Sequence, residues 1–130
     1  MTGSRILLVD DEEVFTKNMT KLLTNRGYRV TAVNSGDTAV RTLQQDQGFG
    51  VIVLDLKMPG MDGITALKEI QKLGLLTEVL ILTGHGAMDT AFKAIEMGAY
   101  DYVTKPCEVT DLVSKIEAAH ARKRVKEKKT

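Results

Sequence analysis

Val51-Ile52-Val53-Leu54-Asp55 restricts the fold of this chain more than any other stretch. Four apolar residues, three of them β-branched, make a strand with no polar face, and such a strand must be covered on both sides, as in a parallel sheet flanked by helices. Lys57-Met58-Pro59-Gly60 then turns the chain out of the sheet. Asp55 is thereby left at the carboxyl end of a central strand, the edge where open α/β sheets keep their chemistry. Arg5-Ile6-Leu7-Leu8-Val9-Asp10-Asp11 repeats the pattern near the amino terminus. Two buried strands ending in acids at one edge make a site.

The rest of the chain reads as scaffold. Strand-like runs at Ile6 to Val9, Tyr28 to Val33, Val51 to Asp55, Val79 to Leu82 and Tyr100 to Val103 alternate with helix-like stretches. The second run alternates in character, as an outer strand with one wetter face should. Helical spacing joins Val14, Phe15, Met19, Leu22 and Leu23, with Gly27 as the stop. It also joins Ala39, Val40 and Leu43, then Ile64, Leu67 and Ile70 behind a capping Asp62. Met88, Ala91, Phe92 and Ile95 form a fourth stripe ended by Gly98, and Val109, Leu112, Val113 and Ile116 a fifth. Short loops and right-handed crossovers make this an α/β fold: one five-stranded parallel sheet, doubly wound by five helices. By analogy with flavodoxin-like folds of this size the strand order is 2-1-3-4-5, which brings Asp10, Asp11 and Asp55 to the switch point.

Composition narrows the classes. The 130 residues suit one domain, and 18 basic against 17 acidic residues leave a formal charge of +1, so no global field favours nucleic acid or membrane. Basic residues do crowd the end, from Arg122 to Lys129, but no aromatic residues interleave them, which argues for a solvated helix end over direct nucleic-acid binding. Cys107 is the single cysteine, so neither an internal disulfide nor a zinc framework can form. It is expected to pack as a small hydrophobe. No signal peptide is evident, and no apolar run approaches the roughly 20 residues that span a bilayer. The expectation is a cytoplasmic domain.

Three carboxylates held together repel, at about 4 kcal/mol for one pair some 4 Å apart near a protein surface. Such a cluster raises a pKa or recruits a cation. Hard oxygen donors with room for water suit Mg²⁺, with Mn²⁺ as a substitute. Thr83 ends the fourth strand with a hydroxyl, Gly84 leaves its approach open, and Lys105 ends the fifth with an ammonium suited to phosphate. Cation, hydroxyl and ammonium around a carboxylate nucleophile form a kit for phosphoryl transfer.

These residues together resemble a response regulator receiver domain, the phosphoacceptor domain of two-component signalling. The matching features are Asp10-Asp11, Asp55, the loop Met58-Pro59-Gly60-Met61-Asp62-Gly63, Thr83-Gly84 and Lys105-Pro106, spread from about Arg5 to Ala119. Leu82 to Gly86 and Gly98 to Tyr102 look most like receivers attached to transcriptional activators or sensor kinases. The resemblance implies a receiver over residues 1–120, with 121–130 a basic tail that is either the end of the last helix or a linker stub.

It also implies roles. Asp55 would accept a phosphoryl group from a sensor histidine kinase or a His-phosphotransfer protein. Asp11, Asp55 and the backbone carbonyl of Lys57 would hold Mg²⁺, with Asp10 acting mostly through water. Thr83 and Lys105 would hold phosphoryl oxygens, and Lys57 and His85 would tune the rate at which water removes the group. Thr83 and Tyr102 would act as a switch that repacks the face of the fourth helix, fifth strand and fifth helix, a face also open to homodimer formation. The Lys105-Pro106 peptide would be cis. On this reading the chain is a regulatory domain rather than an enzyme, and it acts on a partner protein or an output domain. Cys107 departs from the family, which often carries a larger apolar residue there.

Two rivals share the architecture. A phosphatase of the haloacid dehalogenase type needs an acid two residues after the nucleophile, where this chain has Lys57. A flavin or dinucleotide binder needs a phosphate-welcoming loop after the first strand, and Asp10-Asp11-Glu12-Glu13 would repel phosphate.

Overall fold

The computed structural model describes residues 4–58, 60–84 and 86–129. Five strands alternate with five helices: β1 (Arg5–Val9), α1 (Glu13–Asn25), β2 (Arg29–Val33), α2 (Gly36–Gln45), β3 (Val51–Asp55), α3 (Gly63–Gln71), β4 (Glu78–Thr83), α4 (Met88–Glu96), β5 (Asp101–Thr104) and α5 (Val109–Lys129). The sheet is wholly parallel in the order β2-β1-β3-β4-β5.

Side-chain alternation divides the core in two. Ile6 and Leu8 of β1, Val51 and Val53 of β3, and Leu80 and Leu82 of β4 meet Met19 and Leu23 of α1 and Leu112, Ile116 and Ala119 of α5. Leu7, Val9, Ile52, Leu54, Val79 and Ile81 point the other way, onto Ala39 and Leu43 of α2, Leu67 and Ile70 of α3, and Ala91 and Ala94 of α4. Every residue of β3 and β4 is buried, which explains the unbroken apolar run in each. Each Leu, Ile or Val so enclosed contributes about 1.5–3 kcal/mol of transfer free energy.

Local signals set several boundaries. Asp62 caps α3, its carboxylate accepting from the Thr65 N–H at 2.8 Å. Ser35 caps α2 in the same way, its hydroxyl accepting from the Thr38 N–H. Tyr28 lies just before β2, and its ring is buried while its hydroxyl donates to Glu117 of α5. The helical spacing holds for Val14, Leu22 and Phe92, but all three are exposed, Val14 at 76%. Only Met19 and Leu23 of α1 and Ala91 and Ala94 of α4 are buried, so the fringe of each stripe faces outward.

The turn from β3 to α3 is set by a close approach. The Gly63 N–H donates to the Leu56 carbonyl at 3.0 Å, and a Cβ on Gly63 would lie 2.2 Å from the Leu56 Cα. Gly60 meets nothing within 4 Å but has φ +75°. Gly63→Ala is therefore expected to cost at least about 2 kcal/mol through forced backbone displacement. Gly60→Ala should cost about 1 kcal/mol for left-handed backbone alone. Urea unfolding of the two variants measures the difference, and equal losses would remove the close-approach explanation.

Candidate functional site

Register places the acids. Val9 pairs with Leu54, so the next residue on each strand, Asp10 and Asp55, emerges beside its neighbour at the carboxyl edge. On the other side Thr83 pairs with Thr104, and the Lys105 N–H donates to the Thr83 carbonyl at 2.7 Å. Both halves of the sheet thus deliver their terminal residues to one place. Asp10, Asp55 and Thr83 are buried, with at most 5% exposure, and Asp11 is half-buried.

Asp10, Asp11 and Asp55 can offer one carboxylate oxygen each, all within 4.8 Å of one another, and this is the candidate metal-binding cluster among the described residues. The donor set is all oxygen, it carries excess negative charge, and it opens to solvent through Asp11. That chemistry fits a hard divalent ion such as Mg²⁺ with part of its water shell retained.

Three polar groups already engage the acids. The Lys57 N–H donates to Asp55 Oδ1 at 3.1 Å, and the Glu12 N–H donates to Asp10 Oδ1 at 2.9 Å. Lys105 Nζ donates to Asp10 Oδ2 at 2.9 Å and to the Glu12 carboxylate, and lies 3.7 Å from Asp55 Oδ2. It also sits 4.4 Å from the centroid of the Phe15 ring, a cation–π contact. Burial lowers the Lys105 pKa, but hydrogen bonds to Glu12 and Asp10 outweigh it and the net shift is upward. Asp55 is pushed up to about 6, first by burial and further by Asp10, against the pull of the Lys57 N–H and Lys105.

Thr83 Oγ1 donates to the Ala87 carbonyl at 3.3 Å, just ahead of α4, and lies 3.5 Å from the Gly84 carbonyl. Tyr102 is half-buried, its ring edge-on to Phe92 of α4 at 6.2 Å between centroids. The Lys105-Pro106 peptide is cis. His85 lies outside the described residues. Cys107 is half-buried against the α1–α5 side of the core, and burial raises its thiol pKa.

A cleft of about 560 Å³ is lined by Asp11, Glu12, Asp55, Lys57, Met58, Gly84 and Lys105. A second, of about 580 Å³, shares Asp55, Lys57, Met58 and Gly84 and reaches Thr83 and Ala87. A larger hollow between α1 and the end of β2 touches the site only at Asp10. The sequence reading missed Glu12 and Phe15 as neighbours of Lys105. The one signal for Glu12 was its place in the run Asp10 to Glu13; nothing in the sequence marked Phe15.

The description "response regulator receiver domain" belongs to the family model that matches residues 6–117. Regulatory protein AtoC of Escherichia coli (strain K12) is 37% identical over 109 residues, covering 84% of this chain and 23% of AtoC. Transcriptional regulatory protein FixJ of Rhizobium meliloti (strain 1021) is 35% identical over 119 residues, covering 92% of this chain and 58% of FixJ. The chain thus spans about a quarter of one relative and just over half of the other. A crystal structure of a response regulator receiver domain protein from Clostridium thermocellum superposes with a TM-score of 0.89 at 35% identity, covering 94% of this chain and 98% of that one.

Above pH 6 the unprotonated, buried Asp55 is a cost to the fold. Because its folded pKa is raised from 3.8 to about 6, stability falls as pH rises through that window, and the penalty is complete above it. The full shift would be worth about 3 kcal/mol, which solvent in the open cleft reduces to about 1 kcal/mol. Asp55→Asn should therefore raise the melting temperature by about 3 °C at pH 7 without divalent ions. Millimolar Mg²⁺ should stabilise the parent chain and narrow the gap. A parent melting temperature indifferent to Mg²⁺ would remove the metal site.

Proposed function

Because this chain belongs to the response regulator receiver domain family, we propose that it is a phosphorylation-driven switch whose phosphoacceptor is Asp55. The single observation that carries this reading is the Asp55 carboxylate itself. It stands buried at the end of β3, clustered with Asp10 and Asp11, and 3.7 Å from the Lys105 ammonium.

An Asp55 oxygen forms a bond to phosphorus as the P–N bond of a phosphohistidine on the partner breaks, and the imidazole leaves. Asp11, Asp55 and the Lys57 carbonyl would hold Mg²⁺, with Asp10 contributing through water; an ion held there would offset the carboxylates' charge against that of an incoming phosphoryl group. Lys105 supplies a second positive charge and Thr83 a hydroxyl donor. Attack by water on the acyl phosphate breaks the Asp55–phosphoryl bond, releases inorganic phosphate and returns Asp55 to its carboxylate; Lys57, which lines the cleft, and His85 tune that rate. The domain therefore limits its own signal without acting on a separate substrate.

The added charge is about −1.5 to −2. Thr83 turns its hydroxyl from the Ala87 carbonyl to a phosphoryl oxygen, freeing the start of α4. Phe92 travels with that helix, and Tyr102, in a T-shaped contact with it, moves inward. Repacking of the α4–β5–α5 face then changes contact with an output domain, a partner protein or a second copy. A sensor histidine kinase or His-phosphotransfer protein is the donor. Among the described residues no helix is long and apolar enough to cross a membrane.

Incubation with acetyl phosphate and Mg²⁺ should give one phosphate adduct by intact mass for the parent chain and none for Asp55→Asn. Fluoroberyllate with Mg²⁺ should shift the amide resonances of Thr83 and Tyr102. An adduct retained in the Asn variant would move the chemistry to another residue. Silent amides would remove the switch.

A further inference from the structure

Glu12 stands where a helix-capping side chain belongs and does not cap. It is the residue before α1, with extended backbone, and its carboxylate accepts nothing from the first turn of the helix. Glu13 already supplies the acid that the helix dipole favours there. The Glu12 side chain instead crosses the cleft to the Lys105 ammonium, a residue 93 positions away in sequence.

An ammonium has three donors. At Lys105 one goes to Asp10 at 2.9 Å and one to Glu12, while Asp55 lies at 3.7 Å, beyond hydrogen-bond length. Phe15 closes another side of the ammonium. A phosphoryl group arriving at Asp55 draws on the same ammonium, and the pull of Asp10 and Glu12 toward β1 and α1 competes with it. Asp10 has a fully buried side chain, whereas that of Glu12 is 63% exposed, so water can solvate Glu12 at little cost once it lets go.

We propose that Glu12 is a positioning residue that parks Lys105 toward α1 in the unphosphorylated state, and that its release admits the ammonium to the phosphoryl group. The inference rests on the phosphoacceptor reading and adds a competitor to it. Glu12 sets how readily Lys105 is recruited, and so tunes the affinity of the site for a phosphoryl group rather than the bond chemistry.

The test is fluoroberyllate affinity in saturating Mg²⁺, read from amide resonances, together with the melting temperature, for the parent, Glu12→Gln, Glu12→Asp and both changes in a Lys105→Met background. Glu12→Gln removes the charge that holds the ammonium and should tighten binding by about fivefold. Glu12→Asp keeps a charge but shortens the reach, and should tighten it similarly. Neither change should alter affinity when Lys105 is Met. An unchanged affinity in Glu12→Gln, a parent-like Glu12→Asp, or an equal gain without Lys105 would each overturn the proposal, the last two by assigning the effect to charge alone. A parent chain that does not bind fluoroberyllate at all would overturn the phosphoacceptor reading and this inference with it. Binding by the parent with no effect at Glu12 would overturn the inference only.

Discussion

Parallel pairing of β1 with β3 forces two carboxylates into one small volume. Val9 opposite Leu54 leaves Asp10 and Asp55 no choice but to emerge side by side, and both are almost fully enclosed. Neither strand can slip to relieve the repulsion. A one-residue shift would exchange the α1–α5 side of the core for the α2–α4 side along the whole strand. The apolar interior therefore holds the acids together against their own charge. That enforced proximity is the physical basis of everything the carboxyl edge can do.

Lys105 is what makes the arrangement tolerable without an added cation. It belongs to the far half of the sheet and is fixed there by its own N–H to the Thr83 carbonyl. Its ammonium returns across the edge to Asp10, Glu12 and, at longer range, Asp55. One side chain thus bridges β5 to β1 over the top of β3 and β4, and the balance among its partners is the adjustable part of the site. A ligand that brings its own charge needs only to redistribute those partners, not to rebuild the fold.

Residues at strand ends were legible from sequence because a parallel strand buried on both faces declares both its span and its exit. Asp10, Asp11, Asp55, Thr83 and Lys105 all followed from where an apolar run stopped, and the five-motif resemblance ordered them. Glu12 and Phe15 were not legible as Lys105 neighbours, since that contact depends on the approach of α1 to the end of β5 across more than 90 positions. Exposure of Val14 and Phe92 was hidden for a different reason. Helical spacing reports which residues share a stripe, not how wide a stripe the sheet covers. The basic end of α5 was read as solvated, yet Lys126 pairs with the buried Glu78 at 3.0 Å and Arg122 approaches it at 3.9 Å. No local pattern links a strand's first residue to a helix's last turns.

Glu78 and Asp55 are both acids of the inner strands, and they differ in how much positive charge the fold sets against each. The β3–β4 ladder begins at Val51 opposite Glu78 and ends at Asp55 opposite Leu82, so the two carboxylates mark opposite ends of one ribbon. Both are buried. Glu78 meets two cations on the last turns of α5, carried by side chains long enough to reach it from a helix already packed on the sheet. Asp55 has one ammonium, held closer to Asp10 than to itself, and a like-charged neighbour besides. A buried acid with its countercharges in place has nothing to gain from a ligand, whereas one left short of countercharge gains from each cation that arrives. The deficit of positive charge lies at the carboxyl end of the sheet, beside clefts with room for a charged ligand to offset it.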